Sequence, residues 1–285
     1  MDQTTQSETD KQPSVVVASF AAAAVPTPVA EPAKTFYELL NELADTEVFE
    51  LELTDGKLHK FKQLNANNLK DLIKTIVDSP LTQAEFNSTV SQIMEECATP
   101  TQKAVSFNVI DRLLFIIESR IQAISSKAVS IREDSSVEID LSSIKNKLTQ
   151  KIKENTSLFS SKELNAGGLK VICEIPSIKT DSQLNKEMYK NLDIDVDNPD
   201  DLRKILGESF INEIAKSIRS VSIQNTSIDF SSSSFEDRLK TVGSLPAVAI
   251  NSVIDYIEDY KKIVDGCLTV DGQQITVDGS LFSVR

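Results

Sequence analysis

The run from Ser234 to Phe282 constrains the fold most, because helix-start and turn signals follow one another closely there. Ser234 and Asp237 have the spacing of a capping box, which predicts the start of a short helix. Gly243 is expected to end it, and Leu245-Pro246 to begin the next helix, since proline at the first helical position loses no hydrogen bond. The run therefore predicts two consecutive helices.

The second of these helices has a continuous apolar face, and a hairpin is expected after it. Apolar residues recur at spacings of three and four: Ile250, Val253, Ile254, Ile257, Tyr260 and Val264. Asp265-Gly266 is expected to end the helix. Two short strands, Cys267–Val270 and Gln274–Val277, are predicted around a turn at Asp271-Gly272.

An earlier hairpin is predicted where the apolar period changes to two. Phe49, Leu51 and Leu53 alternate with glutamates, and Asp55-Gly56 is a turn signal before Leu58–Leu64. The polar face of the first strand is acidic, and that of the second is basic. Cross-strand charge pairs should therefore favour one register by roughly a few tenths of a kcal/mol each.

Three helices are predicted between this hairpin and residue 126. The third, over residues 108–124, has Phe115 and Ile116 outside its main apolar stripe. A helix that is apolar on two sides is buried on two sides, so we expect this one to be central.

Residues 127–180 are predicted to form a β-rich middle. Alternating apolar residues indicate two strands that extend to Leu141, and the apolar spacing over residues 144–152 indicates a helix after them. A later strand of high β-propensity should bury Cys173.

Residues 1–34 are rich in proline and in small or polar residues, and they predict a flexible tail, since few large apolar groups offset the entropy of ordering. The alternative is a tether that folds on a partner through residues 14–25, SVVVASFAAAAV. Thr35 and Glu38 have capping-box spacing and predict a short helix before the hairpin.

The acidic segment at residues 192–201 has the carboxylate density of a calcium loop. Aspartates alternate from Asp193 as EF-hand ligands do, but the sixth position is Asn198 and the twelfth is Lys204. We therefore expect no metal there, and instead a helix that starts at Pro199 with Asn198 as its cap. This helix should lead into two strands, Val221–Ile223 and Ile228–Phe230, and its apolar residues are Leu202, Ile205, Phe210, Ile214 and Ile218.

Composition argues against several functional classes. The chain has 285 residues, a net charge of −13 and no long basic run, so neither nucleic acid nor a membrane is an expected partner. One histidine and three separated cysteines predict buried, reduced thiols and no metal site. No P-loop, dinucleotide fingerprint, nucleophile elbow or zinc motif occurs. We expect no catalytic residues, no cofactor and no enzymatic activity.

These patterns predict an α+β fold in which helices pack beside small antiparallel hairpins and sheets. The expected organisation is a disordered tail at 1–34 and a hairpin with a helical block at 35–126. A β-rich, variable middle follows at 127–180, and C-terminal helices with a hairpin at 181–285.

Several short sequence motifs occur in a fixed order along the chain. LNANNLKDLI, IMEEC and FNVIDRLLFIIESRIQAIS lie within about residues 46–126, and FEDRLK, SLPA, IDYIEDYKK and LTVDGQQITVD lie within about 199–282. In these motifs and their order, the chain resembles the baseplate hub subunit and hub assembly family of T-even-like contractile-tailed phages. The resemblance implies a structural or assembly protein with other baseplate and hub proteins as partners. It would be found in the host cytoplasm during assembly or in the tail baseplate of the virion.

The exposed faces of the helices at 108–124 and 246–264 are the expected contact surfaces, since both carry apolar residues beyond one stripe. The candidates are Phe115, Ile116, Val248 and Tyr256. An alternative function is a generic cytosolic adaptor or assembly chaperone that binds a partner protein and is not retained in the particle.

Overall fold

A computed structural model describes residues 47–76, 82–99, 106–132, 135–190 and 199–282. In order, the N-terminal elements are β1 Val48–Glu52, β2 Leu58–Lys62, α1 Ala66–Lys74, α2 Thr82–Cys97 and α3 Val109–Ala123. The middle contains β3 Lys127–Arg132, β4 Ser135–Asp140, α4 Leu141–Glu154, β5 Lys162–Ala166 and β6 Leu169–Cys173. The C-terminal part contains α5 Ile178–Lys190, α6 Pro199–Ser217, β7 Ile218–Ile223, β8 Thr226–Asp229, α7 Phe235–Gly243, α8 Ala247–Cys267, β9 Thr269–Val270 and β10 Gln273–Gln274.

Helices packed beside small antiparallel sheets confirm the predicted α+β class. The tail at 1–34, the helix expected after Thr35 and the cap at Asn198 lie outside the described residues. The division into blocks at 35–126, 127–180 and 181–285 stays a prediction about chain organisation.

The β1–β2 hairpin forms in the register that the charges predict. Glu50 lies opposite Lys60, and its carboxylate is 3.3 Å from the lysine ammonium. On the other face Phe49, Leu51 and Phe61 are buried. Burial of one such side chain contributes about 1.5–3 kcal/mol, whereas an exposed ion pair contributes at most about 1 kcal/mol. The apolar face therefore stabilises the hairpin, and the charges select its register.

Helix α3 is central, as predicted. Asn108 caps its N-terminus and forms a capping box with Asp111. The Asp111 carboxylate also accepts hydrogen bonds from the backbone N–H and the hydroxyl of Thr54, at 2.8 and 2.9 Å. Phe115 and Ile116 are fully buried, because β1, α2, α4 and α5 all pack against α3. This corrects the prediction that the two residues lie on an exposed face.

The middle of the chain contains more helix than predicted. The β3–β4 hairpin and α4 form as expected, but Leu141 begins the helix rather than ending the strand, because Asp140 caps it. Helix α5 was not predicted, since its buried positions are few. Strand β5 was missed because it is an edge strand with mostly exposed polar residues.

A four-stranded antiparallel sheet joins the middle to the C-terminal part. Its strands follow the order β5-β6-β7-β8. Cys173 is buried in β6, as predicted. Ile218, which was expected in the helix, begins β7 instead.

The C-terminal stretch forms both predicted helices. Ser234 caps α7 by accepting a hydrogen bond from the Asp237 backbone N–H. Pro246 is the N-cap of α8 rather than its first helical residue, and α8 continues to Cys267. Strands β9 and β10 are only two residues each. Tyr256 is buried, which corrects the prediction that it lies on an exposed face of this helix.

The C-terminus packs back onto the N-terminal elements. Residues Gly279–Phe282 form a 3-10 helix against α1, with Phe282 fully buried. Arg120 of α3 donates a hydrogen bond to the Leu281 carbonyl oxygen. One apolar core therefore extends through the chain from Phe49 to Phe282.

Gly279→Ala tests this packing. A Cβ at position 279 would lie 2.7 Å from the Leu72 carbonyl oxygen, so backbone atoms would have to move. We expect the free energy of unfolding to fall by about 1–3 kcal/mol, as for other overpacked sites. Gly266→Ala is the matched control, since that position in α8 has no atom within 4 Å and alanine should stabilise the helix by about 0.5–1 kcal/mol. Equal urea midpoints for the two variants would contradict the close approach.

Candidate interaction surfaces

A cleft of about 660 Å³ lies between α2, α3, α5, α6 and α8. Its apolar lining includes Phe86 and Ile116, which belong to the core. Its polar lining includes the charged side chains of Arg112, Asp181 and Lys216. The cleft therefore combines an apolar floor with charged walls.

The charged walls form one ion network. The Asp181 carboxylate is 2.8 Å from an Arg112 guanidinium nitrogen and 2.9 Å from the Lys216 ammonium. Lys216 is also 2.6 Å from the Glu213 carboxylate, which is 3.1 Å from Lys261. Arg112, Asp181 and Lys216 are buried. The network thus joins α3, α5, α6 and α8, with positive and negative charges alternating along it.

The charged groups of this network shift one another's pKa values. Burial alone would raise the pKa of Asp181, but the attraction of Lys216 and Arg112 outweighs burial and lowers that pKa. Burial would also raise the pKa of Glu213, but the attraction of Lys216 and Lys261 outweighs burial and lowers that pKa. For Lys216, burial opposes the charged form, yet the two carboxylates raise its pKa. These shifts favour the charged forms of Asp181, Glu213 and Lys216, so none of the three is an acid or base poised near pH 7.

The three cysteines and the histidine are buried. Cys97, Cys173 and Cys267 are free and buried, as predicted. Burial raises the pKa of Cys97 to about 11 and that of Cys173 to about 12, so neither thiol is a ready nucleophile. His59 is buried with its Nε2 atom 3.0 Å from Asp55 in the β1–β2 turn. Among the residues that the structure describes, no group of three or more His, Cys, Asp or Glu side chains could hold a metal ion.

A corner groove lies where the four-stranded sheet meets the α7–α8 connection. Its apolar lining consists of Gly167, Leu169, Ile223, Ile228, Leu245 and Pro246. Ile223 and Ile228 are 53% and 42% exposed. Val248 stands beside the groove, since a Cβ at Gly167 would lie 3.1 Å from its Cγ1 atom. Large apolar side chains so exposed and so close together are typical of a contact surface.

A second apolar surface lies on α6. Leu206 is 70% exposed and Phe210 is 50% exposed. The two residues are four positions apart, so they lie on the same face of the helix, one turn from each other. We call these two residues the α6 face.

The structure separates the four predicted contact residues. Phe115, Ile116 and Tyr256 are in the core, whereas Val248 is 52% exposed. Phe210 was predicted as one of the apolar residues of its helix, and Leu206, Ile223 and Ile228 were not predicted as contact residues. Leu206 lies beside the apolar stripe of α6, the same signal that singled out Phe115, but Leu206 is 70% exposed.

Comparison with protein families gave one finding. A family described as T4 bacteriophage base plate protein matches residues 46–267. Comparison with curated proteins and with solved structures gave no match. Within the described ranges, no helix is both long enough and apolar enough to cross a membrane.

Lys216→Met tests the ion network. Removing the ammonium leaves the buried Asp181 carboxylate with one cationic partner instead of two, so we expect the free energy of unfolding to fall by about 3–5 kcal/mol near pH 7. Lys151→Met breaks the exposed pair with Glu154 and is the control, which should change the free energy of unfolding far less because solvent screens that pair.

The cost of Lys216→Met should also depend on pH. The lowered pKa values of Asp181 and Glu213 contribute stability that is present above their ordinary pKa values and is lost as the pH falls through the lowered ones. The difference in the free energy of unfolding between the variant and the wild type, measured with urea, should therefore become smaller below about pH 4. A difference that stays constant down to the lowest pH of cooperative unfolding would contradict this account.

Proposed function

Because the chain belongs to the T4 bacteriophage base plate protein family, we propose that it is a structural or assembly protein of the baseplate hub. The family match over residues 46–267 carries this proposal, since it includes nearly all of the described chain. The hub assignment rests on the resemblance of the two sequence blocks at 46–126 and 199–282 to hub proteins. The chain acts through protein–protein contacts and has no enzymatic activity in this proposal.

The α6 face is the surface we assign to a baseplate partner. Leu206 and Phe210 expose apolar side chains next to one another, and such residues are enriched at the centres of protein interfaces. The protein's large negative charge keeps it soluble until the contact forms. The protein is then present in the host cytoplasm during assembly and in the baseplate of the finished tail.

Deletion of the gene tests the function. An infection that lacks the protein should accumulate heads without complete baseplates or tails, and supplying the protein in trans should restore them. Normal tails and live progeny from the deletion mutant would overturn the proposal.

Gold-labelled antibody on purified tails tests the position. Label at the centre of the baseplate supports a hub subunit, and label at the rim would contradict the hub assignment. Defective assembly without label in finished tails would assign the assembly role instead of the structural one.

Leu206→Asp and Phe210→Asp, tested singly, probe the α6 face. Both positions are exposed, so the melting temperature should change little. Each variant should restore progeny at least about tenfold less well than the wild type, because a carboxylate in an apolar interface is costly. Ile73→Asp, at an exposed apolar position on α1, is the control and should restore progeny normally. Full complementation by both α6 variants would remove this surface from the proposal.

A further inference from the structure

The four-stranded sheet has two outer edges that differ in chemistry. Strand β5 forms one edge and carries Lys162 and Glu163, charged residues of the kind that keep an edge strand from pairing with another chain. Strand β8, Thr226–Asp229, forms the other edge, and all four of its residues are exposed. Its one charged residue is Asp229, at the end of the strand. Of the two edges, β8 is therefore the one open to a further strand.

The outer side of β8 presents backbone groups to solvent. Ile223 and Thr226 close the two-residue β7–β8 hairpin, so they form a hydrogen-bonded pair. Hydrogen-bonded and non-hydrogen-bonded pairs alternate along antiparallel strands, so Ser227 and Asp229 direct their N–H and C=O groups away from β7. In the described part of the chain, no other strand and no isolated bridge pairs with β8. The outer side is therefore a template for a new strand.

The hydrogen bonds already present on β8 locate the centre of this template. The Asp229 carbonyl oxygen accepts hydrogen bonds from the Ser232 and Ser233 hydroxyl groups, at 3.1 and 2.8 Å. Both lone pairs of that oxygen are therefore occupied. Ser227 has both its N–H and its C=O group available, since neither bonds to another group of the described chain on that side.

A second copy of β8 fits the template. With Ser227 opposite Ser227 of the partner subunit, an antiparallel pair is symmetric about a two-fold axis, and the two residues exchange both backbone hydrogen bonds. Ile228 then lies opposite the partner subunit's Thr226, and Asp229 lies opposite the partner subunit's Asn225, whose amide can donate to the carboxylate. No charge of β8 faces a like charge in this register, although the chain has a net charge of −13.

Side chains beside β8 supply an apolar centre and a polar rim. Ile223 and Ile228 are 53% and 42% exposed and share a face of the sheet with the buried Val221. In the two-fold register the Ile228 side chains of the two copies are diagonal neighbours, close enough to contact one another. The corner groove beside them also has polar lining, which is the composition expected at the margin of an interface: Ser233, Asp237, Lys240, Thr241 and Ser244.

We infer that the protein forms a two-fold dimer through its β8 strands, so that the two four-stranded sheets become one continuous sheet. The same patch is used on both copies, so the contact closes and leaves no β8 edge free for further growth. The inference goes beyond the proposed function and does not depend on it, since a dimer can form whichever baseplate role the protein has.

Ser227→Pro in the full-length protein tests the backbone pairing. Proline removes the N–H group at the centre of the pairing but no hydrogen bond to β7, so each copy should keep its fold and its melting temperature. Sedimentation equilibrium over about 1–100 µM should show a dimer for the wild type, because small interfaces are weak and need such concentrations. The dimer dissociation constant of the variant should be at least about tenfold higher.

Asn165→Pro is the matched control at the other edge of the sheet. Asn165 has the same position on β5 that Ser227 has on β8, next to the closing pair Ala166–Leu169 of a two-residue hairpin. This variant should dimerise as the wild type does. A wild type that stays monomeric, or equal dissociation constants for the two proline variants, would overturn the inference.

Ser227→Cys tests the register without a change to the backbone. Pairing about the two-fold axis brings the two introduced thiols opposite one another, at a Cα separation of about 5.5 Å that suits a disulfide. With oxidised glutathione, this variant should give about tenfold more disulfide-linked dimer on a non-reducing gel than Asn165→Cys. The native thiols at Cys97, Cys173 and Cys267 are buried and should not react. Equal dimer yields for the two cysteine variants would contradict the register and overturn the inference.

Discussion

The Asp181 carboxylate of α5 forms one ion pair with Arg112 of α3 and another with Lys216 of α6. These ion pairs join the three helices at one buried point. Three charges buried together are costly to desolvate, and their attraction offsets that cost only because each carboxylate oxygen has its own partner. A slip of one helical turn, about 5.4 Å, would leave a buried charge unpaired. The network therefore sets the position of α5 and α6 against α3 more than it adds to the total stability.

One apolar core runs through the described chain beside this network. Helix α3 has apolar residues on two sides, and β1, α2, α4 and α5 all pack against it. The 3-10 helix at Gly279–Phe282 then closes the core against α1, so residues from both ends of the described chain share one interior. A protein that must fit among partners benefits from such a closed interior, since its contact surfaces stay in fixed positions.

Local patterns predicted those parts of the fold where one physical signal dominates. The β1–β2 hairpin, α3, α7 and α8 follow from period, caps and turn residues, because each of these acts over a few positions. Strand β5 was missed because it is an edge strand of mostly exposed polar residues, although its partner β6 follows directly in sequence. Helix α5 was missed because it is held by contacts distant in sequence, such as the ion pair of Asp181 with Arg112. The ion network was likewise not predicted, since Arg112, Asp181 and Lys216 are far apart in the chain and nothing local marks their meeting.

Contact surfaces are harder to predict than the core, and the sheet explains why. Val221 and Ile223 are two residues apart on one strand and point to the same face, yet one is buried and the other is half exposed. The difference is set by how far the helical layer extends over the sheet, and no property of β7 itself encodes that distance. Phe115 and Leu206 likewise both lie beside an apolar stripe, but Phe115 is buried whereas Leu206 is exposed. An extra apolar residue therefore marks a surface that needs a second layer, and only the assembled fold decides whether the chain provides that layer or leaves it to a partner.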